Sequence, residues 1–254
     1  MPEFIVPEWP APRRVRCLQT TRQGGVSLPP YDSFNLGDHV GDAAEAVAAN
    51  RALLAPHLPG TPVWLAQVHG TRVLELPADK GGPGEEGPRE EGPWEADGVV
   101  SRSPGQVCAV MTADCLPVLF CDRAGTVVAA AHAGWRGLLA GILENTVTAM
   151  GIAGAEILAW LGPAIGAEAF EVGAEVRAAF LARDAASASC FWAGAAGRYW
   201  ADLQGLARQR LAACGLQSVQ GGSGCTYRDS EAFFSYRRDG RTGRMASLIW
   251  LEDV

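Results

Sequence analysis

Short apolar runs separated by turn residues recur along the chain and predict buried strands. The clearest runs are 98–100, 106–112, 117–121, 126–131 and 156–161, which are rich in Val, Ala and Leu. Continuous apolar runs of this length are typical of strands that are covered on both faces. Shorter extended segments predict further strands at 13–21, 34–36, 62–68, 71–76, 218–220, 232–236 and 245–250.

Apolar residues at helical spacing predict helices between these strands. One helix is expected to begin with Asp42 as its N-cap and Glu45 three residues later, the arrangement of a capping box. Further helices are predicted from 138 to about 150, at 172–182 and at 199–214. Because helices and strands alternate, we predict a single layered α/β domain over residues 1–254, with mixed β-sheets flanked by helices.

One stretch follows neither pattern. Residues 79–95 are acidic, rich in Gly and Pro, and without apolar periodicity. A segment of this composition cannot bury enough apolar surface to order itself. We therefore predict a mobile surface loop within the domain, not a linker between two domains, and we expect residues 81–92 to be dispensable for folding.

The charge balance argues against a nucleic-acid-binding protein. The 254 residues include 21 Lys and Arg against 28 Asp and Glu, which gives a formal net charge of −7. Such a chain has no overall positive field with which to hold a nucleic acid or an anionic membrane. No apolar run approaches the roughly 18 residues of a membrane span, and no basic region with a long apolar segment opens the chain. We therefore expect a cytoplasmic protein.

The cysteines are expected to be reduced thiols. There are seven, an odd number, and Cys108, Cys115, Cys121 and Cys214 lie within apolar or helical patterns instead of at spaced loop positions. No Cys-x-x-Cys pair occurs, which excludes a zinc ribbon or a thioredoxin-type site at the motif level. Any metal site must then be assembled from residues that are distant in sequence.

Candidate chemistry is concentrated where apolar strands end. His69 and His132 each stand where an apolar run meets a glycine-containing turn, and Asp114 with Cys115 separates two apolar runs. Ligand sites of α/β proteins are common at such strand ends. An Asp at this break is costly unless it is paired, hydrogen-bonded or near a metal.

Two chemical interpretations of these residues remain open, beside the simpler one that each histidine is only a hydrogen-bonded strand-end residue. His69, Cys115 and His132 form a ligand set that suits Zn²⁺, with a fourth position open to water. The same residues fit a metal-free nucleophile pair in which His132 activates Cys115. The sequence pattern alone does not decide between the two.

The segment Ala133-Gly-Trp-Arg-Gly137 adds a candidate anion site. It places Gly134 and Arg136 at the start of a predicted helix, where free N–H groups and the helix dipole attract anions. An arginine there can donate a forked pair of hydrogen bonds to phosphate. A tight connection that merely needs small residues would have the same sequence. The segment lacks Gly-Lys-Ser/Thr, so hydrolysis of nucleoside triphosphates has no support.

A series of short motifs occurs in one order along nearly the whole chain. They are Arg22-Gln-Gly-Gly-Val-Ser, Ser33-Phe-Asn-Leu-Gly, Asn50-Arg51, Gln67-Val-His-Gly70, Ala96-Asp-Gly98, Thr112-Ala-Asp-Cys-Leu-Pro-Val118, His132-Ala-Gly-Trp-Arg-Gly137, Gly162-Pro-Ala-Ile-Gly166, Phe170-Glu-Val-Gly173, Cys225-Thr226, Phe233-Phe-Ser-Tyr-Arg-Arg-Asp239 and Thr242-Gly-Arg244. This ordered set resembles the YfiH family, also called the laccase-domain or multicopper polyphenol oxidase family. Two departures are Ala164, where many relatives carry Cys, and the 79–95 stretch, which looks like an insertion.

The resemblance implies a fold and an activity. The fold would be a single α/β domain of the YfiH/CNF-like kind, with a metal site, usually taken as zinc. The activity would be phosphorolysis of adenosine, inosine, guanosine and methylthioadenosine, together with deamination of adenosine. Purine nucleosides and phosphate would then be the small-molecule partners.

The same resemblance suggests roles for individual residues. The expected metal ligands are His69, Cys115 and His132. The expected catalytic residues are Cys115, Asp114 as a proton handler, and Arg136. The expected substrate-binding residues are Asn35, Arg51, Gln67 and Gly134, with the phosphate assigned to Arg136 or Arg51.

Three other functions stay open. A polyphenol oxidase would need His-x-His pairs and more than the four histidines of this chain, so copper is expected only as an adventitious ion. A zinc-free Cys/His hydrolase would cleave amide bonds in the editing of peptidoglycan precursors, a role also attached to the family. A non-catalytic binding protein would hold a structural metal and would need a fourth protein ligand.

Overall fold

Strands and helices alternate in the computed structural model, which describes residues 1–76 and 94–253. Its strands are β1 (Phe4–Ile5), β2 (Val15–Thr20), β3 (Pro62–Val63), β4 (Leu65–Ala66), β5 (Val73–Leu76), β6 (Trp94–Glu95), β7 (Gly98–Ser101), β8 (Val107–Thr112), β9 (Leu116–Asp122), β10 (Val128–Ala133), β11 (Ile157–Leu161), β12 (Glu171–Val172), β13 (Phe191–Ala193), β14 (Tyr199–Ala201), β15 (Ser218–Gly221) and β16 (Met245–Leu251). Its α-helices are α1 (Ala44–Leu54), α2 (Trp135–Ala140), α3 (Ile142–Met150), α4 (Ala174–Arg183), α5 (Leu203–Ala213) and α6 (Tyr236–Asp239). Within the described ranges, no helix has the length and apolar character needed to cross a bilayer.

Two large mixed sheets form the centre of the fold, as the alternation of elements predicts. The six-stranded sheet has the order β15-β11-β9-β10-β7-β5, and the five-stranded sheet has the order β1-β2-β16-β8-β3. In the larger sheet β10 runs antiparallel to both β7 and β9, whereas the outer pairs β11 with β15 and β5 with β7 are parallel. The mixed α/β class is thereby confirmed.

The continuous apolar runs are explained by burial on both faces of a strand. In β9, Val118 and Phe120 belong to a core that includes Leu138 of α2. Their neighbours, such as Leu119, pack in a second core that contains Ile249 of β16 in the other sheet. Because successive side chains of a strand point to opposite faces, β9 supplies both cores and needs apolar residues at every position.

The outer face of the five-stranded sheet has a core of its own. Leu248 and Trp250 of β16 pack there with Leu54 of α1 and with the buried loop residues Phe34 and Leu36. The layers are therefore a helix with its loop, a sheet, a second sheet, and a set of helices.

The helix predicted after Gly137 is interrupted. Gly141 has a φ of 114°, ends α2 and precedes α3 directly. This left-handed conformation is open to glycine and strained for residues with a Cβ. Because α2 has only six residues, its dipole is small, and the anion site predicted at the start of a long helix loses part of its basis.

The capping box predicted at Asp42 is wrong. Ala43 is the N-cap of α1, and Asp42 lies outside the helix. The Asp42 carboxylate instead accepts hydrogen bonds from the Ser27 hydroxyl at 2.6 Å and from the Asn35 amide at 2.9 Å. The carboxylate fixes the loop before α1 and leaves Glu45 without its capping partner.

Several predicted boundaries differ for local reasons. The segments 34–36 and 232–236 are not strands, because Phe34 and Phe233 are buried in loops and Ser235 caps α6 by accepting the Arg238 N–H at 3.2 Å. The first residues of two predicted helices form β12 and β14, which pair with each other. All seven cysteines are free, as predicted.

The C-terminal end of the predicted loop 79–95 is also wrong. Trp94 and Glu95 form β6, which pairs in parallel with β4, and Trp94 packs against the core between the two large sheets. The remainder of that prediction, residues 79–93, lies outside the described residues.

We expect deletion of residues 81–92 to change the melting temperature little, because the stretch is acidic and nearly devoid of apolar side chains. The matched variant is Trp94→Ala, which removes an aromatic ring from the inter-sheet core. It should cost about 2 kcal/mol and lower the melting temperature by several degrees. Thermal unfolding followed by circular dichroism measures both, and a collapse of the deletion variant would contradict the expectation.

Candidate active site

Three residues that are distant in sequence meet at one end of the six-stranded sheet. His69 lies in the turn after β4, Cys115 directly precedes β9, and His132 lies in β10 opposite Pro117. Their potential ligand atoms all lie within 4.8 Å of one another. The Cys115 Sγ is 3.6 Å from His69 Nε2, and the two imidazole rings are 4.7 Å apart between centroids.

Two of the turns that carry this site have backbone conformations that residues with a Cβ rarely adopt. His69 has a φ of 61° and Asp114 a φ of 86°. Positive φ at residues other than glycine is uncommon and is found preferentially at functional sites. Hydrogen bonds hold both turns. Asp97 accepts the backbone N–H groups of residues 68–70, and Asp114 accepts the Thr226 hydroxyl and the backbone N–H of Arg237.

Asp97 is the residue that joins the two histidines. Its carboxylate accepts the backbone N–H groups of Val68, His69 and Gly70 at 3.2, 2.9 and 2.6 Å. The same carboxylate lies 2.8 Å from His132 Nδ1. Because Nδ1 is occupied in this way, His132 directs Nε2 toward Cys115. A carboxylate behind a histidine is the usual means of orienting a metal-ligating or catalytic imidazole.

The site is strongly polarised. Burial alone would raise the pKa of the Cys115 thiol, but the charge of His132 and hydrogen bonds from His132 and His69 outweigh burial and lower it to about 6. Burial would likewise lower the pKa of His132, but the Cys115 thiolate and the Asp97 carboxylate raise it to about 9. Without a metal, both shifts favour a Cys115 thiolate beside a His132 imidazolium.

Gly134 is required by the closeness of this cluster. A Cβ added there would lie 2.6 Å from His69 Cδ2 and 2.9 Å from Cys115 Sγ. The missing side chain of Gly134 therefore leaves space for His69 and Cys115, and its expected role in substrate binding stays a prediction.

A cavity of about 470 Å³ opens over the cluster. This volume lies within the range of small-molecule sites. Its lining includes three arginines and three aromatic residues, namely Arg136, Arg237, Arg244, Trp135, Phe170 and Tyr236. Asp114 is the only carboxylate that lines it among the described residues. The cavity therefore suits a ligand with a flat apolar part and a negative charge.

Asp114 lies on the cavity wall, but its oxygens already have partners. One carboxylate oxygen accepts the Thr226 hydroxyl at 2.6 Å, and the other accepts the backbone N–H of Arg237 at 2.6 Å. The backbone carbonyl of Asp114 also accepts the Ile165 N–H at 2.9 Å. These contacts fix the segment that carries Tyr236 and Arg237 against the cavity, which favours a positioning role over proton transfer.

Gln67 and Arg136 also line the cavity, in different ways. The Gln67 amide donates to the Met111 carbonyl at 2.8 Å and accepts the Met111 N–H at 2.7 Å, so its polar atoms bind β8. The Arg136 guanidinium lies 4.4 Å from the Trp135 ring centroid and makes no hydrogen bond or ion pair to the described residues. Arg136 thus keeps its donors for a ligand.

The structure does not bring Asn35 and Arg51 to the cavity wall. Asn35 is fully buried and binds the backbone at Gly37 and Arg244. Arg51 donates to the Leu36 carbonyl at 2.9 and 3.1 Å, and its guanidinium stacks on the Trp64 ring. Their contacts are with the protein's own loop.

Sequence reasoning assigned no role to Asp97, Arg237 or Arg244. All three residues belong to the motifs quoted in the sequence analysis. For Asp97, no local spacing distinguishes a carboxylate that orients a histidine across the sheet from one that caps a turn. Only the pairing of β7 with β10, which aligns Gly98 with Ala131, brings Asp97 beside His132.

The sequence model of a protein family described as multi-copper polyphenol oxidoreductase laccase matches residues 16–252. The purine nucleoside phosphorylase YfiH of Escherichia coli (strain K12) is 57% identical over 253 residues, covering 99% of this chain and 100% of that protein. The chain belongs to the YfiH family. A purine nucleoside phosphorylase of Pseudomonas aeruginosa is 53% identical over 254 residues, covering 100% of both chains.

Solved structures of YfiH-family proteins share the fold. A Neisseria meningitidis protein of the family designated DUF152 has a TM-score of 0.91 at 50% identity, covering 98% of this chain and 99% of that chain. The Bacillus licheniformis YfiH protein has a TM-score of 0.82 at 32% identity, covering 94% and 93%. The resemblance in motifs is therefore confirmed at the level of family and fold.

We expect Asp97→Ala to weaken metal binding about 10- to 100-fold, the usual effect of removing a group that orients a ligand. Asp122→Ala is the matched control, because Asp122 is also a buried carboxylate of the same sheet but binds only the turn at Thr126 and Val127. Competition with a chromophoric zinc chelator measures the affinity of both variants. Equal affinities would show that Asp97 does not orient the ligands.

The pH dependence of thiol alkylation tests the polarised pair. In protein stripped with a chelator, the Cys115 thiolate should persist down to about pH 6, so the rate with iodoacetamide should rise through that pH. Cys17, whose pKa burial raises to about 11, should not react in this range. In His132→Ala the midpoint should move up to at least about 8.5, because burial then raises the pKa of Cys115 with only His69 to oppose it. A native midpoint near that value would contradict the assignment.

Proposed function

We propose that this YfiH-family protein is a metal-dependent purine nucleoside phosphorylase that accepts adenosine, inosine, guanosine and methylthioadenosine. The observation that carries the proposal is the His69, Cys115 and His132 cluster at the wall of a cavity rich in arginine and aromatic side chains. The relatives named purine nucleoside phosphorylase support it at up to 57% identity. We infer the roles of the individual residues from chemistry.

The cavity lining contains side chains suited to each of the two reactants. Trp135, Phe170 and Tyr236 supply rings against which a purine can stack, and Arg136 and Arg237 lie over the first two of these rings. The arginines supply planar, permanently charged donors that match phosphate oxygens. The same cavity can therefore hold a nucleoside and a phosphate side by side.

Phosphorolysis breaks the C1′–N9 bond of the nucleoside and forms a bond from C1′ to a phosphate oxygen. The electron pair of the broken bond leaves with the purine, which takes up a proton, and the sugar product is ribose 1-phosphate, or its 5-methylthio analogue when the substrate is methylthioadenosine. Positive charge develops on the ribose as the base departs, so a phosphate held in place stabilises the transition state. The arginines contribute by binding phosphate and by fixing its position.

The donor chemistry of the cluster fits zinc. Two imidazoles and one thiolate are three ligands of a catalytic zinc site, and in the described part of the chain this is the only group suited to a metal. When bound, zinc would supply Lewis acidity toward an oxygen or nitrogen of the ligand. Asp97 would keep His132 in the required orientation through Nδ1.

Deamination of adenosine is proposed as a second reaction of the same site. It replaces the C6 amino group by oxygen from water and releases ammonia, and it needs no phosphate. The shared requirement is the polarised cluster, because both reactions use a purine nucleoside in the same cavity. Mutations in the arginines should therefore affect phosphorolysis more than deamination.

Two alternative functions can be compared with specific features of the cluster. A laccase-type multicopper centre needs many more donors than one cluster of two histidines and a cysteine. A metal-free Cys/His amide hydrolase is favoured by the lowered pKa of Cys115 beside His132. We would assign the amide hydrolase function if the purified protein contained no metal and left nucleosides unchanged.

The test is to incubate purified protein with inosine or adenosine, with and without phosphate, and to quantify free base, ribose 1-phosphate and inosine chromatographically. We expect phosphate-dependent release of base and stoichiometric zinc by elemental analysis. His132→Ala should lower kcat/KM by more than the roughly 10- to 100-fold that loss of an orienting group costs, because it removes a proposed ligand itself.

His57→Ala is the matched control and should keep full activity, because His57 packs on the Phe4 ring away from the cavity. Absence of turnover of every purine nucleoside by metal-replete protein would defeat the proposal.

A further inference from the structure

We propose that Arg244 is the principal phosphate-binding residue of the cavity, and that Asn35 and Gly37 are positioning residues that hold it there. The inference rests on the proposed function for the identity of the anion. It replaces the expectation that Arg51 or Arg136 performs this role.

Of the three arginines that line the cavity, Arg244 makes the most side-chain hydrogen bonds to the described residues, whereas Arg237 makes one and also stacks on the Phe170 ring. The Arg244 Nη1 donates to the Thr242 and Gly243 carbonyls at 3.0 Å each. Its Nε and Nη2 make no hydrogen bond to the described residues, so a fixed guanidinium presents free donors to the cavity. An arginine whose geometry is set in advance loses less freedom when it binds an anion.

The other two arginines are less suited to this role. Arg136 is exposed and held only by its stacking on Trp135. Arg237 is exposed as well, and its Nη1 donates to the Glu171 carbonyl at 3.0 Å. Arg244 is half-buried, where water competes less for the anion.

The motif 33–37 forms a platform for Arg244. The Asn35 Oδ1 accepts the backbone N–H groups of both Gly37 and Arg244 at 2.9 Å, and the Leu36 N–H donates to the Arg244 carbonyl at 3.1 Å. The Asn35 amide donates to the Gly37 carbonyl at 3.0 Å and to Asp42. One buried amide therefore ties the loop before α1 to the start of β16.

Gly37 leaves space for the stem of Arg244. A Cβ at this position would lie 2.8 Å from Arg244 Cγ and 3.1 Å from its Cβ. Arg51 supports the same loop, because its guanidinium donates to the Leu36 carbonyl. Asn35 and Arg51, which were expected to contact substrate, thus support the loop that holds Arg244.

Arg244 lies among other ionisable side chains of the cavity. Burial lowers the pKa of Arg244, while Cys115 and Asp114 raise it, which places the guanidinium within electrostatic reach of both. His39, which also lines the cavity, has a lowered pKa because of its burial and of Arg244. Both shifts place the Arg244 guanidinium inside the same cavity as the cluster.

The test compares Arg244→Gln with Arg241→Gln. Gln keeps the stem over Gly37 and removes the charge. Arg241 is the matched control, because it stands three residues earlier but donates to the Tyr31 hydroxyl and the Gly41 carbonyl outside the cavity. With inosine as nucleoside, Arg244→Gln should raise the KM for phosphate about 10- to 100-fold and change the KM for inosine less than about twofold.

Arg244→Lys should recover part of the loss, because the charge returns without the fork. Gly37→Ala should also raise the KM for phosphate selectively, since it displaces the Arg244 stem without entering the cavity. A general structural defect would instead lower kcat and the melting temperature, and its effect would not be confined to the KM for phosphate. A phosphate KM equal to that of Arg241→Gln overturns the proposal. The proposal is also overturned if the only kinetic change in Arg244→Gln is a higher KM for a nucleoside 5′-monophosphate. Arg244 would then bind a phosphate on the nucleoside.

A direct binding measurement separates this inference from the proposed function. Isothermal titration of the metal-loaded protein with inorganic phosphate should show binding that Arg244→Gln loses and Arg241→Gln retains. If native protein binds phosphate in this way but releases no base, the proposed reaction fails and the Arg244 site stands. If Arg244→Gln binds phosphate like the native protein, the Arg244 site fails whether or not the reaction occurs.

Discussion

The contact between Asp97 and His132 is the interaction on which the site depends. A single buried carboxylate receives three backbone N–H groups from the turn at 68–70 and the Nδ1 of His132. It thereby fixes the backbone of one histidine and the ring of the other. Without this carboxylate, the left-handed turn at His69 would lose its partners, and the imidazole of His132 would lose the contact that aims Nε2 at Cys115. The cost of burying Asp97 is offset by these four contacts.

The two-sheet architecture explains why such a contact can be maintained. β7 and β10 are inner strands of the six-stranded sheet, and each is buried on both faces. Their registers are fixed because a slip by one residue would turn every side chain to the opposite core. Asp97 precedes β7 and His132 is near the end of β10, so the register of these two strands also fixes the positions of both residues.

Much of the fold and part of the site could be predicted from the sequence. The inner strands β8 to β11 were recognisable because burial on both faces leaves a continuous apolar run. The convergence of His69, Cys115 and His132 followed from their positions at strand ends and from the resemblance in motifs. Asn35 and Arg51 were expected to contact substrate, but their hydrogen bonds go to loop carbonyls and amides that no sequence pattern indicates. Gly141 was missed as a helix break because an isolated glycine within a helical pattern is often tolerated.

The position of β16 has a consequence for the order in which the protein can assemble. β16 lies between β2 and β8, both of which precede it by more than a hundred residues of chain. During synthesis, therefore, the five-stranded sheet stays split into two parts until β16 has left the ribosome. The three residues of the cluster are translated well before that moment, but Arg244 directly precedes β16. Arg244 is thus the last residue of the cavity lining to be synthesised, and the strand that follows it joins the two parts of the sheet.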